Sequence, residues 1–99
     1  MLTKKFTPKR TVCKVTFTIP AELVKEEVAL VGDFNDWDTE SIKLVEKKGV
    51  YSTEVRLSPN KEYKFKYLID GEIWENDHEA DAYVSNEFGT DDSVVIIGK

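Results

Sequence analysis

The chain has 99 residues, a formal net charge of −5, and 40% hydrophobic and 11% aromatic content. That is enough for one modest apolar core in a single domain over residues 1–99, and too apolar for a disordered segment. The negative balance argues against nucleic acid as a main partner, because phosphate binding draws on a basic field.

No apolar run reaches bilayer-spanning length, and no apolar stretch follows the charged start Met1-Leu2-Thr3-Lys4-Lys5-Phe6. The expectation is therefore no membrane segment, no signal peptide and a cytoplasmic address. One cysteine, Cys13, cannot form an internal disulfide, and its place in an alternating apolar row reads as a buried thiol. Charge is uneven along the chain. Lys4, Lys5, Lys9, Arg10 and Lys14 precede the first acid, Glu22, whereas no Lys or Arg occurs from Tyr67 to Gly98. The simplest arrangement has the basic N-terminal strand lying near the acidic end of the fold; head-to-tail self-association is the alternative.

Met1 to Arg10 reads as an arm or first edge, because Pro8 cannot serve a central strand. Thr11 to Ile19 alternates, with Cys13, Val15, Phe17 and Ile19 on one face, and Pro20 closes it. Ala21 to Glu26 fits one helical turn or a polar connection. Val28 to Val31 is a short buried run ending at Gly32, followed by the turn-rich Asp33-Phe34-Asn35-Asp36-Trp37-Asp38. A short strand is expected at Ile42 to Val45, a turn at Lys47-Lys48-Gly49, and a strand from Val50 to Leu57 with Tyr51, Thr53, Val55 and Leu57 inward.

Ser58-Pro59-Asn60 leads into the central hairpin. There Tyr63, Phe65, Tyr67 and Ile69 recur at every second position, and Asp70-Gly71 supplies the dipeptide of a two-residue type I′ turn. Trp74 returns on the strand beyond that turn. A brief strand at Ala82 to Val84, a loop around Gly89 and a closing apolar strand at Ser93 to Ile97 complete the chain. Seven or eight short strands with regular turn signals and no convincing helix give an all-β, antiparallel β-sandwich.

Three motifs in fixed order carry a resemblance: Val28-Ala29-Leu30-Val31-Gly32-Asp33-Phe34-Asn35-Asp36-Trp37; Phe65-Lys66-Tyr67-Leu68-Ile69-Asp70-Gly71-Glu72 with Trp74; and Asn86-Glu87-Phe88-Gly89-Thr90-Asp91-Asp92-Ser93-Val94-Val95. Over roughly residues 12–97 the chain resembles the family-48 carbohydrate-binding modules. These include the early-set domains of isoamylases and branching enzymes and the glycogen-binding domain of the AMP-activated kinase β-subunit; short stand-alone bacterial members are the nearest in kind. The resemblance implies an immunoglobulin-like sandwich that binds α-1,4-linked glucans such as glycogen or starch. It makes Trp37 and Trp74 the sugar-stacking platforms and Lys66 a donor to sugar hydroxyls. Phe88 would insert into the curved glucan, and Thr90 with residue 92 would bond its edge. The chain departs from the family pattern in carrying Asp92 where an amide is usual, and Ile73 as an additional residue before Trp74.

The chemistry fits that expectation. A sugar ring offers an apolar C–H face ringed by hydroxyls, which flat amphipathic side chains can read. In its polar loop Trp37 is either a lid folded on the core or an exposed platform, and the resemblance favours the platform. Phe34 reads as a core plug. Catalysis is not expected, since His78 is the only histidine and no nucleophilic triad can be assembled. No metal or other cofactor is expected either: Asp33 to Trp37 begins like a calcium loop but puts Trp at the third ligand position. The rival to glucan binding is a protein-interaction module, docking onto a glycogen-metabolising enzyme or itself, that kept the sandwich and lost sugar affinity. It predicts a buried Trp, or a groove closed by pairing Asp92 with Lys66.

Overall fold

A computed structural model of the protein describes residues 2–98. Nine strands are found among them: β1 (Leu2–Phe6), β2 (Cys13–Pro20), β3 (Val28–Gly32), β4 (Val45–Lys47), β5 (Val50–Leu57), β6 (Lys61–Ile69), β7 (Ile73–Glu75), β8 (Ala82–Ser85) and β9 (Asp91–Ile97). All pairings are antiparallel and form two sheets, ordered β1-β2-β5-β4 and β3-β6-β9-β8. β7 lies against the end of β6. The sheets pack as an immunoglobulin-like sandwich.

Period-two patterning accounts for the core. Cys13, Val15, Phe17 and Ile19 of β2 are all buried, and face Phe65, Tyr67 and Ile69 of β6 with Val95 and Ile97 of β9. The Phe17 ring meets Phe65 edge-on at 5.0 Å between centroids, and Phe34 plugs the same cluster at 5.7 Å from Phe17. β3 is buried on both faces: Val28 and Leu30 enter the core, while Ala29 and Val31 form a second, outer cluster with Leu68 and the partly covered Trp37. That outer cluster is the floor on which the first tryptophan rests.

Two expectations need correction. The strand expected at Ile42–Val45 is divided between the two sheets. Lys43 makes a single bridge to Ala29 of β3, Leu44 is buried, and the ladder proper begins at Val45, paired with Ser52 of β5. A chain crossing from one layer to the other shows no lasting alternation.

The hairpin after β6 is also longer than two residues. Asp70 (φ 54°) and Gly71 (φ 70°) are both left-handed, and the Glu72 N–H donates to the Ile69 carbonyl at 3.0 Å, so the type I′ bend is present. The ladder nevertheless closes at Ile69 opposite Ile73, leaving Glu72 outside it. The Asp70 carboxylate accepts the backbone N–H groups of Lys25, Glu26 and Glu27 at 3.2, 2.7 and 3.1 Å, which ties this turn to the start of β3. Those bonds, that of Glu26 foremost, hold its carboxyl below the ordinary range.

Of the two readings of the N-terminal segment, an arm or a first edge, the structure has the edge: Leu2 to Phe6 is a strand paired along its length with β2 at the margin of its sheet (Met1 lies outside the described residues). Its Lys4 ammonium bonds the Asp81 carboxylate and the Ile96 carbonyl, so the basic start does meet the acidic end within one chain.

Candidate functional site

The outer face of the β6 sheet carries an open groove of about 860 Å³, lined by Trp37, Trp74 and Phe88 together with Lys66, Thr90 and Asp92. All six residues singled out from the sequence therefore reach one surface, although they come from four separate stretches of chain.

Trp37 is placed by the loop after β3. Gly32 ends the strand where it passes so close to β6 that a Cβ would stand 2.5 Å from the Lys64 carbonyl oxygen. Asn35 caps the single 3-10 turn that follows: its side-chain oxygen accepts the Gly32 N–H at 3.0 Å, and its amide donates to the Leu30 carbonyl at 3.1 Å and the Ser41 hydroxyl at 3.0 Å. Asp36 (φ 54°) and Trp37 (φ 58°) then occupy the left-handed region in succession. For residues other than glycine this costs on the order of 1 kcal/mol or more each, and such strain concentrates where a side chain must be aimed. The Trp37 N–H closes the loop onto the Gly32 carbonyl at 2.9 Å. Its indole Nε1 donates to Asp33 Oδ1 at 2.9 Å, while Asp33 Oδ2 accepts the Lys64 N–H of β6 at 2.8 Å. One carboxylate thus fixes the ring to the central strand. One side of Trp37 is packed on Ala29, Val31 and Leu68, so it is neither a core lid nor fully free.

Trp74 stands opposite Leu68 in the β6–β7 ladder and is 48% exposed. Leu68 thus underlies the first indole and faces the second across the ladder. The extra residue, Ile73, pairs with Ile69, and the alternation of β7 keeps Trp74 on the groove side.

The third wall is the β8–β9 loop. Asn86 organises it: its side-chain oxygen accepts the N–H groups of Phe88 (2.9 Å) and Thr90 (3.2 Å), and its amide donates to Thr90 Oγ1 (2.8 Å) and Asp92 Oδ1 (3.0 Å). With Gly89 in the left-handed region (φ 80°), this holds Phe88 outward at 83% exposure. Phe88 thereby adds an exposed apolar ring to the open face that also carries Trp74.

Between the walls, Lys66 Nζ donates to Thr90 Oγ1 at 3.2 Å and lies 3.7 Å from Asp92 Oδ1, both side chains being largely covered. The pairing named above as a mark of lost sugar affinity is therefore present, but it lies along the floor and leaves the groove open. Asp33, Lys64, Ser85, Asn86 and Glu87 complete the lining and were not singled out from the sequence. An Asn three residues before a glycine in a hairpin loop is a recognisable Asx-turn signal for Asn86; the grip of Asp33 on an indole depends on the folded loop and leaves no local trace.

A second cavity, of about 240 Å³, lies between β2 and the segment after β7, where Tyr67 donates to the buried carboxylate Asp77 at 2.8 Å. Burial, reinforced by that carboxylate, pushes the Tyr67 hydroxyl well above the ordinary phenol range. Among the described residues no helix is long and apolar enough to cross a membrane.

Comparison with known proteins gives two relatives and a family. The chain is 39% identical over 75 residues to the phosphoglucan phosphatase LSF1, chloroplastic, of Arabidopsis thaliana, covering 74% of this chain and 12% of that protein. It is 35% identical over 51 residues to the protein FLOURY ENDOSPERM 6, chloroplastic, of Oryza sativa subsp. japonica, covering 52% and 9% respectively. The chain therefore spans about a tenth of the length of either relative. Residues 15–99 match the family described as the glycogen recognition site of AMP-activated protein kinase, and the motifs around Trp37, Lys66, Trp74 and Phe88 all fall inside that match. With most of its length matched, the chain belongs to this glycogen-recognition family of carbohydrate-binding modules.

Proposed function

We propose that the protein binds α-1,4-linked glucans without catalysis, by stacking glucose rings on Trp37 and Trp74. Lys66 and Thr90 bond ring hydroxyls, Asp92 accepts from them, and Phe88 contacts the turn of the glucan. The observation that carries this reading is the convergence of both tryptophans and Phe88 on one open face around the Lys66–Thr90–Asp92 row. Membership of a glycogen-recognition family and the likeness to a phosphoglucan phosphatase support it. Two stacked rings and a few hydroxyl bonds correspond to roughly micromolar to millimolar affinity for a short oligosaccharide, raised by avidity on a polymer.

Titration with maltoheptaose, followed by tryptophan fluorescence, tests it. A saturable change that Trp37→Ala or Trp74→Ala abolishes supports the site, and no response up to millimolar sugar refutes it. A second reading, a protein-interaction module docking onto a glycogen-metabolising enzyme, is favoured by the Lys66–Asp92 pairing, which occupies two polar groups of the groove. It gains ground if the sugar titration is silent.

A further inference from the structure

The charge around the groove is not what stacking on a neutral sugar requires. Asp33, Glu87 and Asp92 line it against Lys64 and Lys66, and Lys66 already faces Asp92 at 3.7 Å. Two further acids, Asp36 and Asp38, flank Trp37 in its loop, and both are exposed. From Tyr67 to Gly98 no lysine or arginine offsets them. Lys64 is the remaining cation of the lining.

We infer that the groove selects unphosphorylated glucan and discriminates against glucan carrying phosphate esters. This rests on the glucan-binding reading above. A glucose hydroxyl can donate to a carboxylate and accept from an ammonium, so it suits the Lys66–Asp92 row in either sense. A phosphate ester carries about −1.5 to −2 charge at neutral pH and mainly accepts hydrogen bonds. It meets the carboxylates of Asp33, Asp92 and Glu87 as like charges, while of the two lining lysines Lys66 is held by Asp92, which leaves Lys64 alone to face it. The acid at position 92 sets the sign of this preference: an amide there would leave the Lys66 charge uncompensated and available to the ester. Because the rim charges stand in solvent, the discrimination is screened over about 8 Å at physiological ionic strength.

The test is calorimetric titration of the whole chain with maltoheptaose and with maltoheptaose 6-phosphates at pH about 7.5, where the ester is essentially dianionic. The phosphorylated sugar is expected to bind at least about fivefold more weakly at low salt, with the gap shrinking as salt is added. Asp92→Asn and Glu87→Gln should each narrow it; Glu87 is exposed, so its substitution reports on charge even if Asp92→Asn fails to fold. Equal or tighter binding of the ester overturns the inference and leaves glucan binding standing, as does a gap indifferent to salt and to both substitutions. Binding of neither sugar overturns the glucan reading and this inference with it.

Discussion

Replacing Gly32 by alanine puts a methyl group where β3 and β6 nearly touch. The backbone itself would accept the change, since φ at Gly32 is −174°, ordinary extended geometry. The obstacle is contact: the new Cβ would lie 2.5 Å from the Lys64 carbonyl oxygen, 2.8 Å from Phe65 Cβ and 3.0 Å from the Phe34 ring. The first falls about 0.9 Å short of the 3.4 Å at which ordinary contact begins (3.4 − 2.5), and it is backbone, so no rotamer change relieves it. Overpacking of this kind costs about 1–3 kcal/mol. In a domain of this size each kcal/mol lowers the thermal midpoint by about 4–8 °C, so a fall of about 5–20 °C is expected. Urea denaturation followed by circular dichroism should show a lower midpoint with an unchanged slope. The same displacement reaches the groove, because Gly32 bonds both Asn35 and the Trp37 N–H, so tryptophan emission should change as well. A variant within about 0.5 kcal/mol of the wild type, with the Trp37 signal unaltered, would refute the close approach on which this reasoning depends.

Tyr67→Phe removes a donor to the buried Asp77 carboxylate and should cost about 1–3 kcal/mol in urea denaturation; a loss near zero would mean another group takes up that oxygen. For the wild type, spectrophotometric titration should find Tyr67 silent among the four tyrosines until the protein unfolds in alkali. Asp70→Asn keeps the left-handed turn but loses the charge that three N–H groups hold. Because the folded carboxyl lies below its ordinary 3.8, the wild type's advantage should be complete at neutral pH and shrink as pH falls below that value, and a difference that grows in acid would contradict it. Trp74→Ala should leave stability within about 0.5 kcal/mol, the side chain being half exposed, whereas Trp37→Ala uncovers Ala29, Val31 and Leu68 and should lower the denaturation midpoint as well as sugar binding.

Alternation of Cys13 to Ile19, and of Tyr63 to Ile69, was enough to find β2, β6 and the face each turns inward, because one side of each strand is dry and the other wet. Where that condition fails, the pattern is silent. Ile42 to Lys47 passes between layers, so its apolar residues answer to two different sheets in turn. Trp37 and Trp74 were legible as aromatics in polar settings, and the ordered motifs placed them together. What could not be read was the support. The side chain of Asn86 completes its four hydrogen bonds, to three residues, only once β8 and β9 have paired, and Asp33 joins a ring to a strand 31 residues away.

Asp33 also makes the groove observable from the middle of the sheet. β3 ends at Gly32, opposite Phe65, so the next β6 amide, that of Lys64, has a carboxylate rather than a neighbouring strand as its acceptor. The other oxygen of that carboxylate holds the Trp37 indole. Opening of the tryptophan loop therefore releases an amide in the central strand, and anything that quiets the loop protects it. In amide hydrogen exchange the Lys64 proton becomes a built-in reporter of occupancy. It should exchange faster than its β6 neighbours in the free protein and slow towards them when a ligand rests on Trp37.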